Sequence, residues 1–329
     1  MRRWYVWVSI SIVLFGLLVW RTRPWEAFAV GADWRPLLAV IALNVAVIAA
    51  WSIRSARLMA AVGYPLPLLA LVPIVSFANT INNLTPASSG EALRAVILRR
   101  RHGVPYGRST AVILVERLWA IWIMAMSAGA AALGTVVPAS PGIVGVGWVA
   151  AVVAIFAPAL AYRLGLRPAA FAARIVDPGA VGDDGMPGRR ARLATLLRDV
   201  DANVAGILAS PAVAIGFVAS TGLIFILFAV QLWVILLALG QDISPVAAWA
   251  ALGIATIAGV LSALPFGLGA ADVVMTTLLA VLGVPAAAAG AAALLLRATV
   301  TLPLGLAGTA SWIALNRGPE SATAETADP

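Results

Sequence analysis

Cysteine and lysine are both missing from this chain of 329 residues. Without cysteine there is no disulfide, no thiol nucleophile and no thiolate metal site. Without lysine, all 22 basic side chains are arginine, which together with the alanine load reads as the base composition of a GC-rich genome. Histidine is nearly missing too. His102 stands alone in a basic stretch, which reads as a solvated side chain and excludes a histidine-ligated metal centre. Neither a Walker sequence nor a Ser-His-Asp set is found, and no cofactor is expected. Charge of either sign is scarce: 11% of the residues are charged, against about 25% in a typical soluble domain. With 62% of the residues hydrophobic, the chain has more apolar surface than a water-soluble fold can hide, so its solvent is a bilayer. In a soluble protein the net charge of +8 would suggest nucleic acid; here the arginines are loop residues that set topology, and no nucleic-acid partner is expected.

Apolar segments recur at 4–20, 36–53, 65–84, 109–133, 142–162, 211–239, 246–264 and 286–313, near the roughly 20 residues that cross a bilayer. Two shorter helical pieces, 89–101 and 270–282, follow Pro-Gly breaks. Arg2 and Arg3 precede the first run as they would in a signal peptide. No small-residue cleavage site follows, however, and Trp20-Arg21-Thr22-Arg23 closes the run, so it is expected to stay as a first helix. Trp4, Trp7, Trp20, Trp25, Trp34, Trp51 and Trp312 fall near segment ends, as an aromatic belt does. The longest polar connection is 163–209. Within it Leu193, Leu196, Leu197, Val200, Val204 and Ile207 recur at helical spacing beside Arg189, Arg190, Arg192 and Arg198, which predicts an amphipathic helix on the membrane surface. The tail after Asn316 is rich in Ala, Thr, Glu and Pro and reads as disordered. The organisation expected is one membrane domain over 1–315, with a basic cytoplasmic surface segment at 163–209 and a disordered tail at 316–329.

The arginines suggest how the segments thread. With the N-terminus inside, a full crossing by 65–84 would put Arg94, Arg99, Arg100, Arg101 and Arg108 outside, along with the arginines of 163–209, against the positive-inside bias. If 65–84 instead dips in, breaks at Pro86 and returns as 89–101, both clusters lie inside. Arg21, Arg23 and Arg35 are then outside, and Arg117 and Arg297 lie within spans. Both termini are then cytoplasmic, in a multi-pass protein of the cell membrane.

Two stretches echo each other. The first reads Pro86-Ala-Ser-Ser-Gly90, then Gly103-Val104-Pro105, then Arg117; the second reads Pro265-Phe-Gly-Leu-Gly269, then Gly283-Val284-Pro285, then Arg297. The offset is 179 at the start and 180 at the end. Together with the threading, this predicts an all-α polytopic membrane protein of about six full spans plus two re-entrant helical hairpins in an inverted repeat, with motifs in 65–133 and 246–313.

Charges at depth support a site there. Arg117 and Arg297 each lie 12 residues beyond the proline of Gly-Val-Pro, about 18 Å along a helix and close to mid-membrane. Glu91, Arg94, Glu116 and Asp272 share that depth. Each has a purely structural account: Glu91 and Asp272 cap half-helices, Arg117 and Arg297 neutralise them, Arg94 snorkels, and Asn79, Asn82 and Asn83 satisfy the backbone broken at Pro86. The functional account uses the same geometry. Half-helix starts at Ser88, Ser89 and Gly90 and at Gly267 and Gly269, after the breaks at Pro86 and Pro265, present backbone N–H groups. Arg94, Arg117 and Arg297 add fork-shaped donors suited to a lipid phosphate, and Glu91, Glu116 and Asp272 balance charge or take a cation or proton. Gly142, Gly145 and Gly147 read as helix-packing glycines.

The stretch Asn82-Asn-Leu-Thr-Pro86-Ala-Ser-Ser-Gly90-Glu91-Ala-Leu-Arg94, with Glu116-Arg117, and the stretch Pro265-Phe-Gly-Leu-Gly269-Ala-Ala-Asp272, with Arg297, resemble two signatures of the lysylphosphatidylglycerol synthase membrane region, a flippase-like family. The resemblance covers nearly the whole chain. It implies a bacterial or archaeal membrane protein that moves phospholipids, or polyprenyl- or glycan-linked lipids, between leaflets. Asp272 stands where the family more often has Glu, and Leu118-Trp119-Ala120 follows the Glu-Arg pair where relatives commonly have an acid. A soluble aminoacyl-transferase domain is not expected after the last span, so neither is synthesis of lysylphosphatidylglycerol.

Three function classes remain open on the sequence. One is a lipid flippase or scramblase, the reading preferred here over an enzyme. Another is a non-catalytic membrane partner of a glycosyltransferase, docked through 163–209. The third is a polyprenyl-phosphate-dependent transferase, for which only Glu26 and Asp33 offer an outer acidic pair. The partners expected are membrane lipids, a glycosyltransferase or other lipid-modifying enzyme, and a second copy of the chain.

Overall fold

The computed structural model describes residues 2–29, 33–85, 89–176 and 189–317. Among them every regular element is helical, apart from an isolated bridge between Leu133 and Val137. In chain order the helices are α1 (Arg2–Thr22), α2 (Pro24–Ala29), α3 (Arg35–Ala61), α4 (Leu68–Leu84), α5 (Ser89–His102), α6 (Tyr106–Leu114), α7 (Ala120–Ala132) and α8 (Pro141–Arg163). They continue as α9 (Pro168–Val176), α10 (Arg189–Ala209), α11 (Pro211–Ala238), α12 (Pro245–Ser262), α13 (Ala270–Val281), α14 (Ala286–Leu296) and α15 (Leu302–Arg317). A π turn at Val115–Trp119 joins α6 to α7, another at Arg297–Thr301 joins α14 to α15, and a 3₁₀ turn at Pro265–Gly267 precedes α13.

Local chemistry sets many of these boundaries. Three long helices open on Ser-Pro: Ser140, Ser210 and Ser244 each accept the third helical amide, from Ile143, Val213 and Ala247, while the proline fills a position whose N–H would have no partner. The Gly-Val-Pro echo is a turn between helices. Gly103 (φ +66°) and Gly283 (φ +88°) close α5 and α13 in the left-handed region, Val104 and Val284 anchor the corner in the interior, and Pro105 and Pro285 cap α6 and α14.

Six helical stretches among the described residues are long and apolar enough to cross a membrane: Arg35–Ala61, Tyr106–Ala132, Pro141–Arg163, Pro211–Ala238, Pro245–Ser262 and Ala286–Ile313. They are not quite the six expected. Five of them match expected spans, and the first expected span, 4–20, falls inside the 21-residue α1; the sixth is α12, expected as one arm of a hairpin, which has the length to span. Large apolar side chains face outward, among them Leu69 (85% exposed) and Leu261 (80%), as bilayer-facing surfaces do. The chain is a multi-pass helical membrane protein.

Packing between the two echoing halves is reciprocal. α3 lies along α11. The α4 helix of the first half packs on α15 of the second, and α12 of the second half packs on α7 of the first. Small residues allow both crossings. A Cβ at Gly308 of α15 would run into Thr80 and Ser76 of α4, and one at Gly253 of α12 would meet Ala128 of α7 at 2.6 Å. Among the described residues two large apolar cores result, one around Leu71, Leu98, Val112 and Ile207 and the other around Leu236, Ala251, Met275 and Leu279, with a small third cluster at Ala131, Ala132 and Ala250.

Two sequence readings change. α3 does not stop at residue 53 but runs to Ala61, so Trp51 and Arg54 sit inside a helix rather than at its end. The stretch 189–209 is helical as expected, but Val200, Val204 and Ile207 are buried in the first core, because α10 docks on α6 and α8; only Leu193 and Leu196 of its apolar stripe are exposed. The tail from 318 onward lies outside the described residues.

Candidate functional site

In the first half α4 and α5 touch closely. A Cβ at Gly90 would overlap the carbonyl of Ala78 and the side chain of Asn82, so only glycine fits. Asn82 bridges the break in both directions: its Oδ1 accepts the Glu91 amide (3.1 Å) and its Nδ2 donates to Glu91 Oε1 (2.9 Å). Glu91 Oε1 also accepts from Arg117 Nε at 3.0 Å. Arg94, one turn further along α5, is 3% exposed and does not snorkel. Its guanidinium donates to Glu116 and, at 2.9 Å, to Ser55 Oγ, and lies 3.6 Å from Glu91. Ser55 in turn donates to Glu116 Oε1 at 2.6 Å. Arg54, next to it on α3, lies 3.9 Å from Glu116, donates to Thr221 (3.3 Å) and covers the Phe217 ring.

The second half is simpler. Asp272 accepts the Gly269 amide at 2.9 Å in the first turn of α13, and Arg297 grips it with Nε at 3.1 Å from Oδ1 and Nη2 at 2.9 Å from Oδ2. This is the two-pronged geometry that a guanidinium offers a carboxylate. Arg117 and Arg297 both sit in π turns, elements that recur at functional sites. The carbonyl of Thr299 inside the second π turn accepts from Asn44 Nδ2 at 2.7 Å, and Asn44 accepts from the buried Gln231 at 3.0 Å.

Two cavities flank these groups. One of about 460 Å³ is lined by Asn82, Thr256, Gly267, Asp272 and apolar residues of α12 and α13; another of about 340 Å³ is lined by Trp51, Arg54, Glu91, Arg94 and Glu116. Arg117 and Arg297 line both, with Asn83, Thr256 and Thr301. Among the described residues, three guanidinium nitrogens here, Arg54 Nε, Arg94 Nε and Arg117 Nη2, and one carboxylate oxygen, Glu91 Oε2, are buried without a hydrogen-bond partner.

The structure therefore gathers Glu91, Arg94, Glu116 and Arg117 into one network and Asp272 with Arg297 into a second beside it. Asn79, expected only to satisfy backbone, lines the smaller cavity. The backbone donors differ from expectation. The Gly269 amide is taken by Asp272 and the Gly267 amide by the Leu264 carbonyl, so neither is open to a ligand. Gly90 is a packing residue and Ser89 Oγ bonds Thr85 Oγ1 at 2.6 Å; Pro86 and Ser88 lie outside the described residues. Arg54 and Ser55 were not foreseen. His102 is half-buried rather than solvated, and burial, then the neighbouring Arg101, lowers its pKa below the usual imidazole value. Glu26 pairs with Arg23 (3.4 Å) and Asp33 accepts the Arg35 amide (3.0 Å), so both acids are engaged locally. No cluster of metal-ligating side chains occurs among the described residues.

Residues 4–308 match the lysylphosphatidylglycerol synthase TM region. The chain belongs to that family. It is also 28% identical to a Haloferax volcanii protein named glycosyltransferase AglD, in an alignment covering 97% of this chain and 55% of the relative. The chain thus spans about half the length of the curated relative it matches.

Proposed function

We propose that this protein is a lipid transporter of the flippase or scramblase type, not an enzyme, and that it moves a phosphate-bearing lipid between leaflets. The observation that carries the reading is the set of buried guanidinium N–H groups with no hydrogen-bond acceptor among the described residues, around two cavities that Arg117 and Arg297 both line. Buried donors without acceptors are rare in folded proteins, and arginine forks suit phosphate. The larger cavity is walled on one side by apolar residues such as Leu252, Val260 and Met275, which suits a ligand with a greasy end. A charged head group cannot cross hydrocarbon unaided; a polar cavity that replaces its hydration lowers the barrier.

The same reading assigns the α4–α5 and α12–α13 hairpins to an inverted repeat that enters from opposite faces, with both termini cytoplasmic. Reciprocal packing, the paired π turns and the arginine distribution support it. One site with two equivalent gates is what alternating access requires. The test is leaflet exchange of labelled lipid in proteoliposomes. Arg117→Lys and Arg297→Lys keep charge but lose the planar grip and should slow exchange; Arg→Gln at both should slow it further. A well-folded double Arg→Gln protein that moves lipid as fast as wild type would refute the site.

A second reading has one observation in its favour, the name of the Haloferax relative. It makes the chain a membrane partner of a glycosyltransferase, docked through 163–209. Under that reading the double Arg→Gln protein retains its partner and its biological effect.

A further inference from the structure

Placing Arg54 in the site changes its charge count, and the count selects a ligand. Among the described residues, the charged side chains lining the two cavities are Arg54, Arg94, Arg117 and Arg297 against Glu91, Glu116 and Asp272. Four cations face three anions. Without Arg54 the set would be neutral, with Glu91 beside Arg117, Glu116 beside Arg94 and Asp272 gripped by Arg297. Arg54 is the surplus. Its nearest acid, Glu116, is 3.9 Å away and already bonded by Arg94 and Ser55, and its remaining contacts are a neutral hydroxyl and an aromatic face. Arg94, 3% exposed, has no hydrogen-bond acceptor for its Nε among the described residues at the same cavity. An uncompensated charge at membrane depth is costly, and each extra charge of either sign adds to the cost.

We infer that the site is matched to a polar group carrying one negative charge, a phosphodiester monoanion with no ammonium group, and that Arg54 is the residue that sets this preference. The inference rests on the transporter reading and sharpens it. A zwitterionic phosphodiester leaves the surplus uncompensated. A phosphomonoester, which approaches two charges near neutral pH, overshoots it. Both a glycerophospholipid with an uncharged alcohol and a polyprenyl phosphodiester of a sugar satisfy the rule, since the cavities recognise the diester and not the tail.

The experiment compares labelled phosphatidylglycerol, phosphatidylethanolamine, phosphatidic acid and a polyprenyl-phosphoryl sugar in one proteoliposome exchange assay. In parallel, lipid retained through purification is identified by native mass spectrometry. Wild type should favour the two monoanionic diesters over both other head groups by roughly ten-fold or more, the scale of one unscreened charge contact. Arg54→Gln should bring phosphatidylethanolamine level with phosphatidylglycerol, and Arg54→Lys, which keeps the charge, should keep the order. Faster exchange of one diester than the other identifies the tail. Equal handling of all head groups by wild type overturns the inference while leaving transport standing, as does an unchanged order in folded Arg54→Gln. If wild type exchanges no lipid, transport fails, and the retained lipid decides: a monoanionic diester lost in Arg54→Lys or Arg54→Gln alike overturns the role of Arg54, and one lost only in Arg54→Gln upholds it. If Arg54→Gln does not fold, the wild-type order and its survival in Arg54→Lys decide.

Discussion

The acid–arginine pairs differ in how deeply they are held, and this orders the effects of breaking them. Arg94 and Glu116 are 3% and 5% exposed, and Asp272 and Arg297 are 3% and 19% exposed, whereas Arg117 is 35% exposed beside Glu91. Neutralising one partner of a deep pair leaves the other charge buried alone. Glu116→Gln and Asp272→Asn should therefore each destabilise by about 3–5 kcal/mol. The Glu91–Arg117 pair is partly screened, so Arg117→Gln should lower stability by less, about 1 kcal/mol or below. Thermal or denaturant unfolding in a fixed detergent measures each. Arg94→Met with Glu116→Leu should be milder than the sum of the single changes, and strict additivity would contradict the pairing. The ranking matters for function: the partner most easily released from its acid is Arg117, which lines both cavities.

The π turns explain how two arginines on continuous helices come to face the same space. Widening one turn rotates the downstream helix relative to the upstream one, so α6 and α14 can pack as helix interiors while Arg117 and Arg297 point at the cavities. The second turn is tied down from outside, through Asn44 on α3 and Gln231 on α11. Asn44→Leu keeps the volume but strips the Thr299 carbonyl and Gln231 of a partner. It should destabilise by about 1–3 kcal/mol and weaken the coupling between Asp272 and Arg297. A double-mutant cycle at those two positions, run in wild type and in Asn44→Leu, reads that coupling. An unchanged coupling would mean that the turn holds Arg297 without help from α3.

Across the molecule, the reciprocal packing of α4 on α15 and of α12 on α7 ties each half's hairpin to the other half's arginine helix. A shift of one hairpin must therefore be felt at the opposite arginine, the mechanical requirement for two gates around one site. The proposed opposite insertion of the hairpins has a direct test, because the chain has no cysteine to interfere. Single cysteines at Arg99 and at the exposed Ala286, just past the corner that ends α13, should react with a membrane-impermeant thiol reagent from opposite faces, Arg99→Cys from the cytoplasmic one. Labelling of both from the same face would sink the inverted arrangement, and labelling of Arg99→Cys from outside would reverse the threading.

The sequence by itself determined the solvent, the family and the skeleton of the site. Too many apolar residues and too few charges require a bilayer; Ser-Pro starts and Gly-Val-Pro corners mark helix ends through local hydrogen bonding and backbone geometry. The pairs Glu91–Arg117 and Asp272–Arg297 were legible because each acid stands in the first turn after a break and each arginine lies at a countable depth on the next helix. Only the tertiary structure decided that α3 carries Arg54 into the site, that Arg94 pairs with Glu116, that π turns aim the arginines, and that α10 docks on the protein. A hydropathy window ends a helix at its first arginine because it sees no counter-charge. The groups that make burial of Arg54 tolerable, Glu116, Thr221 and Phe217, come from helices 62 to 167 residues away. The Gly269 amide shows the same limit in reverse: a half-helix start offers a donor, and only the folded position of Asp272 settles that the donor is already taken.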